Sequence, residues 1–211
     1  MGGPSAIALT DRIRRELDGA VEAVTAFWGD TWRRHVVIVV TGSPEQFVTL
    51  GGGRDLGGDI AAVTTANCVV FAPGAAGLSD ATLRIVLRHE LLHFAARQQT
   101  APDAPRWLTE GVADYVGRPP AARPGPAAAV DLARLPTDAE LDTVGATRSS
   151  AYDRAWWFAS FVADRYGVET LRRLYLAACG PGHVDVDTAV STTLGADLGA
   201  VLVDWRRWLA G

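Results

Sequence analysis

The chain contains no lysine: all 20 of its basic residues are arginine. Against 24 acidic residues this leaves a formal net charge of −4 and a pI of about 5.5. Such a balance argues against a nucleic-acid-binding protein, which needs a basic face to meet phosphates. Cysteine is almost as scarce, with only Cys68 and Cys179. Two distant cysteines do not make a disulfide framework, and the expectation is two buried free thiols. Long apolar runs are missing too. No stretch of about 18 residues is both apolar and uncharged, so no membrane span is expected. The opening MGGPSAIALTDRIRREL has no basic segment ahead of its short apolar run, which excludes a secretory signal among these residues. The expected location is cytoplasmic; a secreted or tethered protein would need a leader or anchor beyond these residues. Histidine, finally, occurs four times, and two of the four stand in one octapeptide.

What is present suits a globular chain. Hydrophobic residues make up 48% and charged residues 21% of 211 positions, enough for a normal core in one domain, 1–211. Ser5 to Trp28 reads as an amphipathic helix, with Ile7, Ile13, Leu17, Val21, Val24 and Phe27 at near-helical spacing. HVVIVV (35–40) is a continuous β-branched run and is expected to be a buried strand. Gly42-Ser43-Pro44 starts a short helix to Leu50. GGGRDLGG (51–58) is a turn-forming loop without the GK[ST] of a phosphate loop. IAAVTT (60–65) and NCVVFA (67–72) are further strands, and Pro73 to Leu78 is a loop. Ser79 is a good N-cap for a helix from about Asp80 to Gln98. A second helix starts near Pro105 and ends by Gly117. RPPAARPGPAAA (118–129) opens a Pro/Ala-rich connection, 118–149, read as a surface excursion. The remainder, 150–211, is expected to be helical, in segments 150–166, 168–178, 185–194 and 196–209.

RHELLHFA (88–95) lies on the helix that Ser79 caps. His89 and His93 are four residues apart, so they share a helical face one turn apart and can reach one metal ion. Neutral imidazole suits zinc. Glu90 is rotated about 100° from His89, bordering such an ion without having to bind it, where a general base belongs. The pattern arises by chance in roughly one in four hundred chains of this composition. Its helix is apolar nearly all round, with Leu83, Val86, Leu87, Leu91, Leu92, Phe94 and Ala95, so it should be buried. Two imidazoles and a carboxylate inside such a helix are costly unless a cation compensates them. A catalytic zinc takes three protein ligands and keeps a fourth position for water. WLTEGVADYV (107–116) offers the third, Glu110, with sixteen residues between it and His93. Asp114 follows four residues later on the same face, where a carboxylate can fix a histidine tautomer.

HELLH followed by WLTEGVADY resembles the gluzincins, zinc metallopeptidases that include thermolysin-like enzymes and aminopeptidases. The likeness covers about Arg88 to Gly117. It implies His89, His93 and Glu110 as ligands of one catalytic Zn²⁺, Glu90 as general base and Asp114 as the aspartate behind the ligands. The fold it implies is an α+β, zincin-like domain: a small N-terminal sheet lobe with a buried active-site helix (1–117), then a mainly helical C-terminal lobe. The implied reaction is peptide-bond hydrolysis on a peptide or protein substrate, with Glu90 assisting attack of zinc-bound water. The oxyanion needs a further donor, and gluzincins supply a tyrosine or a histidine. Tyr152, in SSAYDRAWWF at the start of a helix, is the first candidate and His183 the second; Tyr115 is expected to pack.

In that fold an edge strand ahead of the active-site helix binds the substrate backbone, so IAAVTT or NCVVFA should do so. Neither holds an acidic residue, apart from Asp59 just before the first. An endopeptidase is therefore expected rather than an aminopeptidase. Trp156, Trp157, Trp205 and Trp208 are expected to anchor helix packing, and Arg206 and Arg207 to be solvated. Two other functions fit the same motif: a non-peptidase zinc hydrolase acting on a dedicated small molecule or single precursor, and a non-catalytic binding protein on a zincin scaffold.

Overall fold

The computed structural model describes residues 3–53 and 60–211. Most of the GGGRDLGG loop and Asp59 therefore lie outside the described residues. The chain is mostly helical, 67%, with one small three-stranded sheet, an α+β composition. It divides into two compact units, Met1–Arg97 and Gln98–Gly211.

The first unit holds helix α1 (Pro4–Trp28), strand β1 (Val37–Val40), helix α2 (Pro44–Leu50), strands β2 (Ala62–Thr64) and β3 (Cys68–Phe71), and helix α3 (Asp80–Ala96). The strand order is β1-β3-β2. β3 runs parallel to β1, pairing Val37 with Cys68 and Val40 with Phe71. It runs antiparallel to β2, pairing Ala62 with Phe71 and Thr64 with Val69. The β-branched 35–40 run is therefore not a buried strand. It forms an edge, with Val37 half exposed and no residue of β1 fully buried. Burial belongs instead to β3, whose Val69, Val70 and Phe71 are closed off completely. A continuous apolar run marks a strand covered on both faces, and only the central strand meets that condition here.

Helix α1 packs along α3. Its Leu9, Ile13, Ala20, Val24 and Trp28 meet a core that also holds Leu83, Leu87 and Leu91. Polar clamps fix how the two helices lie. Arg12 donates to the carbonyls of Ala76 and Leu78 and to the Asp80 carboxylate. Arg84 forks onto Glu16 at 2.7 and 3.0 Å. Pro73–Gly77, expected as loop, is a 3-10 turn that Arg12 ties down.

The second unit is all helical: α4 (Arg106–Gly117), α5 (Pro126–Leu132), α6 (Asp138–Asp142), α7 (Ala146–Tyr166), α8 (Val168–Cys179), α9 (Val186–Leu194) and α10 (Leu198–Ala210). α4 packs on α7 at very close range. A Cβ added at Gly111 would stand 2.5 Å from the Ala155 carbonyl oxygen. The aromatics form a chain of edge-on contacts, Trp107 on Phe158 and Phe158 on Trp205, each with centroids 5.2 Å apart. Trp156, Trp157 and Trp205 are buried, as expected of packing anchors, and Arg206 and Arg207 are exposed.

The 118–149 connection departs most from the sequence reading, for it carries two short helices, α5 and α6. It is also tied at several points. Arg123 pairs with Asp164 at 3.0 Å and stacks over Trp208, and the Gly125 N–H donates to the Leu209 carbonyl. Proline and alanine give little periodic signal, which is why these helices escape a pattern search. Among the described residues no single helix is long and apolar enough to cross a membrane. Both cysteines are free thiols, but only Cys179 is buried as expected, and burial pushes its thiol up to about 12; Cys68, first in β3, is half-buried.

Candidate metal centre

The residues of RHELLHFA stand in the second half of α3, which begins where the sequence places it. The Ser79 hydroxyl caps the helix by accepting from the Thr82 N–H at 3.1 Å, and Asp80 sits in the first turn. Leu83, Leu87, Leu91, Leu92 and Phe94 are essentially inaccessible. His89 and His93 are half-buried, and Glu90 is only 8% exposed.

The two imidazoles turn the same atom toward each other, with Nε2 3.1 Å from Nε2. Their ring centroids are 4.7 Å apart and the planes lie at 71°. A bond between them would need a hydrogen on one Nε2 and a lone pair on the other. A shared cation needs both lone pairs. Two nitrogens about 2.0–2.1 Å from one tetrahedral ion stand about 3.3 Å apart, so the observed spacing fits a zinc ion with little movement. Imidazole nitrogens with facing lone pairs are also donors that zinc prefers.

Glu90 reaches the sheet. Its Oε2 lies 2.7 Å from the hydroxyl of Thr64, at the end of β2, and the same hydroxyl is 2.8 Å from the Glu90 carbonyl oxygen. The residue expected to be a base thus has one carboxylate oxygen, Oε2, engaged in a strand-to-helix contact.

In the second unit Glu110 stands half-buried on α4, and Asp114 one turn later is 4% exposed. Asp114 Oδ2 is 2.6 Å from Arg118 Nη2, an ion pair by distance though not aligned as a hydrogen bond. Arg118 also donates from Nη1 to Asp153 at 2.6 Å and lies over the Trp156 ring. Burial alone would ease the Arg118 proton off. The charges of Asp114 and Asp153 outweigh it and hold the guanidinium charged.

Tyr152 does not begin a helix. α7 starts at Ala146, so the tyrosine sits near the end of its second turn, half-buried. His183 is tied locally. Its Nδ1 is 2.9 Å from the Val184 carbonyl and its Nε2 3.4 Å from Asp103. The Val184 contact raises its pKa; desolvation opposes the rise and Asp103 adds to it. Tyr115 is half-buried, and desolvation raises its pKa.

For substrate binding by strand addition, NCVVFA is ruled out: β3 is bonded on both sides. β2, from IAAVTT, is an edge. Two residues escaped the sequence reading. Arg118 was legible as the i+4 partner of Asp114. Thr64 was not, because nothing in the spacing between strand and helix marks a side chain that crosses from one to the other. Compared with protein families, curated proteins and solved structures, the chain matches none.

Proposed function

We propose that this chain is a zinc-dependent peptidase of zincin type, an endopeptidase rather than an aminopeptidase. The observation that carries the proposal is the pair of histidine Nε2 atoms, 3.1 Å apart on one face of α3, with Glu90 adjoining. His89 and His93 would hold the ion, with Glu110 as the third ligand that the WLTEG resemblance implies. A zinc ion held there supplies Lewis acidity, which acidifies water and polarises a carbonyl. The chain's own residues supply the rest. Glu90 takes the proton of the attacking water and delivers it to the leaving nitrogen. Asp114, braced by Arg118, orients a ligand histidine. Tyr152 is the candidate donor to the oxyanion. The outer edge of β2 takes the substrate backbone as an added strand.

The test begins with metal content. Protein purified without added zinc should carry about one zinc per chain, and Glu110→Ala should lose it. Glu90→Gln should keep the metal yet lose peptide cleavage by about 10²–10⁴-fold. Zinc-free wild-type protein that fails to bind zinc on reconstitution would defeat the proposal. A zinc-loaded wild type that cleaves no member of a broad peptide library would defeat its peptidase part.

A further inference from the structure

We infer that Thr64 is a positioning residue for Glu90, and that it decides which carboxylate oxygen takes the proton. The inference rests on the reading of Glu90 as the base. Thr64 ends β2, paired across the sheet with Val69. Its hydroxyl stands 2.7 Å from Glu90 Oε2 and 2.8 Å from the Glu90 carbonyl. β2 packs directly on α3. The hydroxyl thus directs its one hydrogen, as a bifurcated bond, at two acceptors of one residue, the side-chain Oε2 and the main-chain carbonyl.

That double reach has a consequence for the carboxylate. A glutamate has three side-chain torsions, and its last one is soft, so a carboxylate on a helix does not by itself keep one plane. A hydroxyl held by a strand removes that freedom. With Oε2 engaged by Thr64, the proton-accepting oxygen is Oε1. The grip also lies within the first unit, between two elements whose positions are set by buried residues on both sides: Val69, Val70 and Phe71 in the sheet, and Leu87 and Leu91 in the helix. A base must be held close to its working geometry, and groups on strands and helices are held better than groups on loops.

β2 then does two things. Its outer edge offers main-chain groups to a peptide, and its last side chain holds the base. A substrate strand seated on β2 is thereby registered against Glu90 through one threonine.

The experiment compares zinc-loaded wild type, Thr64→Val and Thr64→Ser, first by crystal structure. Valine keeps the shape and removes the hydroxyl; serine keeps the hydroxyl. The expected result is a Glu90 carboxylate rotated away or in several orientations in Thr64→Val, and in the wild-type orientation in Thr64→Ser, with zinc content equal in all three. Kinetics should follow, with kcat about tenfold lower in Thr64→Val at unchanged KM and restored within about twofold by serine. An unmoved Glu90 carboxylate in Thr64→Val would overturn the inference, as would a Thr64→Ser protein in which the carboxylate wanders. If Thr64→Val does not fold, Thr64→Ala replaces it with the same two readings. Should the wild type prove to have no peptidase activity, the proposed function fails, while the crystallographic comparison still decides whether Thr64 positions Glu90.

Discussion

Two single residues in the second unit have effects out of proportion to their size. Gly111 follows the candidate ligand Glu110 and sits mid-helix, where alanine would ordinarily gain about 1 kcal/mol in helix propensity. Here a Cβ would meet the Ala155 backbone carbonyl oxygen at 2.5 Å, an atom that cannot swing aside, so the sign reverses. Gly111→Ala should destabilise by about 1–3 kcal/mol, measured by denaturant unfolding. Glu140 is the other. It closes a capping box with Thr137, and its Oε1 lies 2.6 Å from Arg134 and 2.8 Å from Arg154, which is 1% exposed. The Arg134 bond, then the Thr137 N–H and Arg154, hold its carboxyl down at about 2 against an ordinary 4.5. A depressed carboxyl stabilises the fold fully above its unfolded value. The contribution therefore fades as pH falls from about 4.5 toward 2. Glu140→Gln should be less stable by about 3 kcal/mol at neutral pH, because it leaves Arg154 buried without its counter-charge. Its acid unfolding curve should also be flatter than that of the wild type over that window.

At the scale of elements, the helices were the most legible part of the chain. α1, α3, α8 and α9 begin and end within a few residues of where periodicity, Ser79 and the glycines place them. Strands were legible as strands but not as edge or centre. β1 and β3 are both short apolar runs, and which is covered on both faces depends on chain topology that lies outside either segment. α5 and α6 were missed because helices of one or two turns have no period to read. The metal motif was legible as spacing on one helix, whereas Thr64 needed the contact between β2 and α3 to be seen. The start of α3 is held by a single distant side chain, Arg12. Arg12→Ala should strip two carbonyls and the Asp80 carboxylate of their donor, costing about 1–3 kcal/mol. Amide exchange over the first turn of α3 should rise in that variant, with exchange in β3 unchanged.

For the molecule as a whole, a bound ion adds stability by mass action. Zinc at a thousand times its dissociation constant contributes about 4 kcal/mol. Each kcal/mol moves the melting point of a chain this size by about 2–4 °C. Chelation should therefore lower the melting temperature by about 10 °C, and added zinc should restore it; Glu110→Ala should melt at the chelated temperature with or without zinc. The strand order has a consequence of a different kind, one of timing. β3 is the middle of the sheet and the last of the three strands in sequence. As the chain leaves the ribosome, β1 and β2 emerge first and have no partner until Cys68–Phe71 arrives. At about 5–20 residues per second, Val37–Val40 waits roughly 1–6 s as an unpaired apolar edge. That interval is when nascent chains of this protein are most exposed to one another and to chaperones. Stalling synthesis just short of β3 should prolong it.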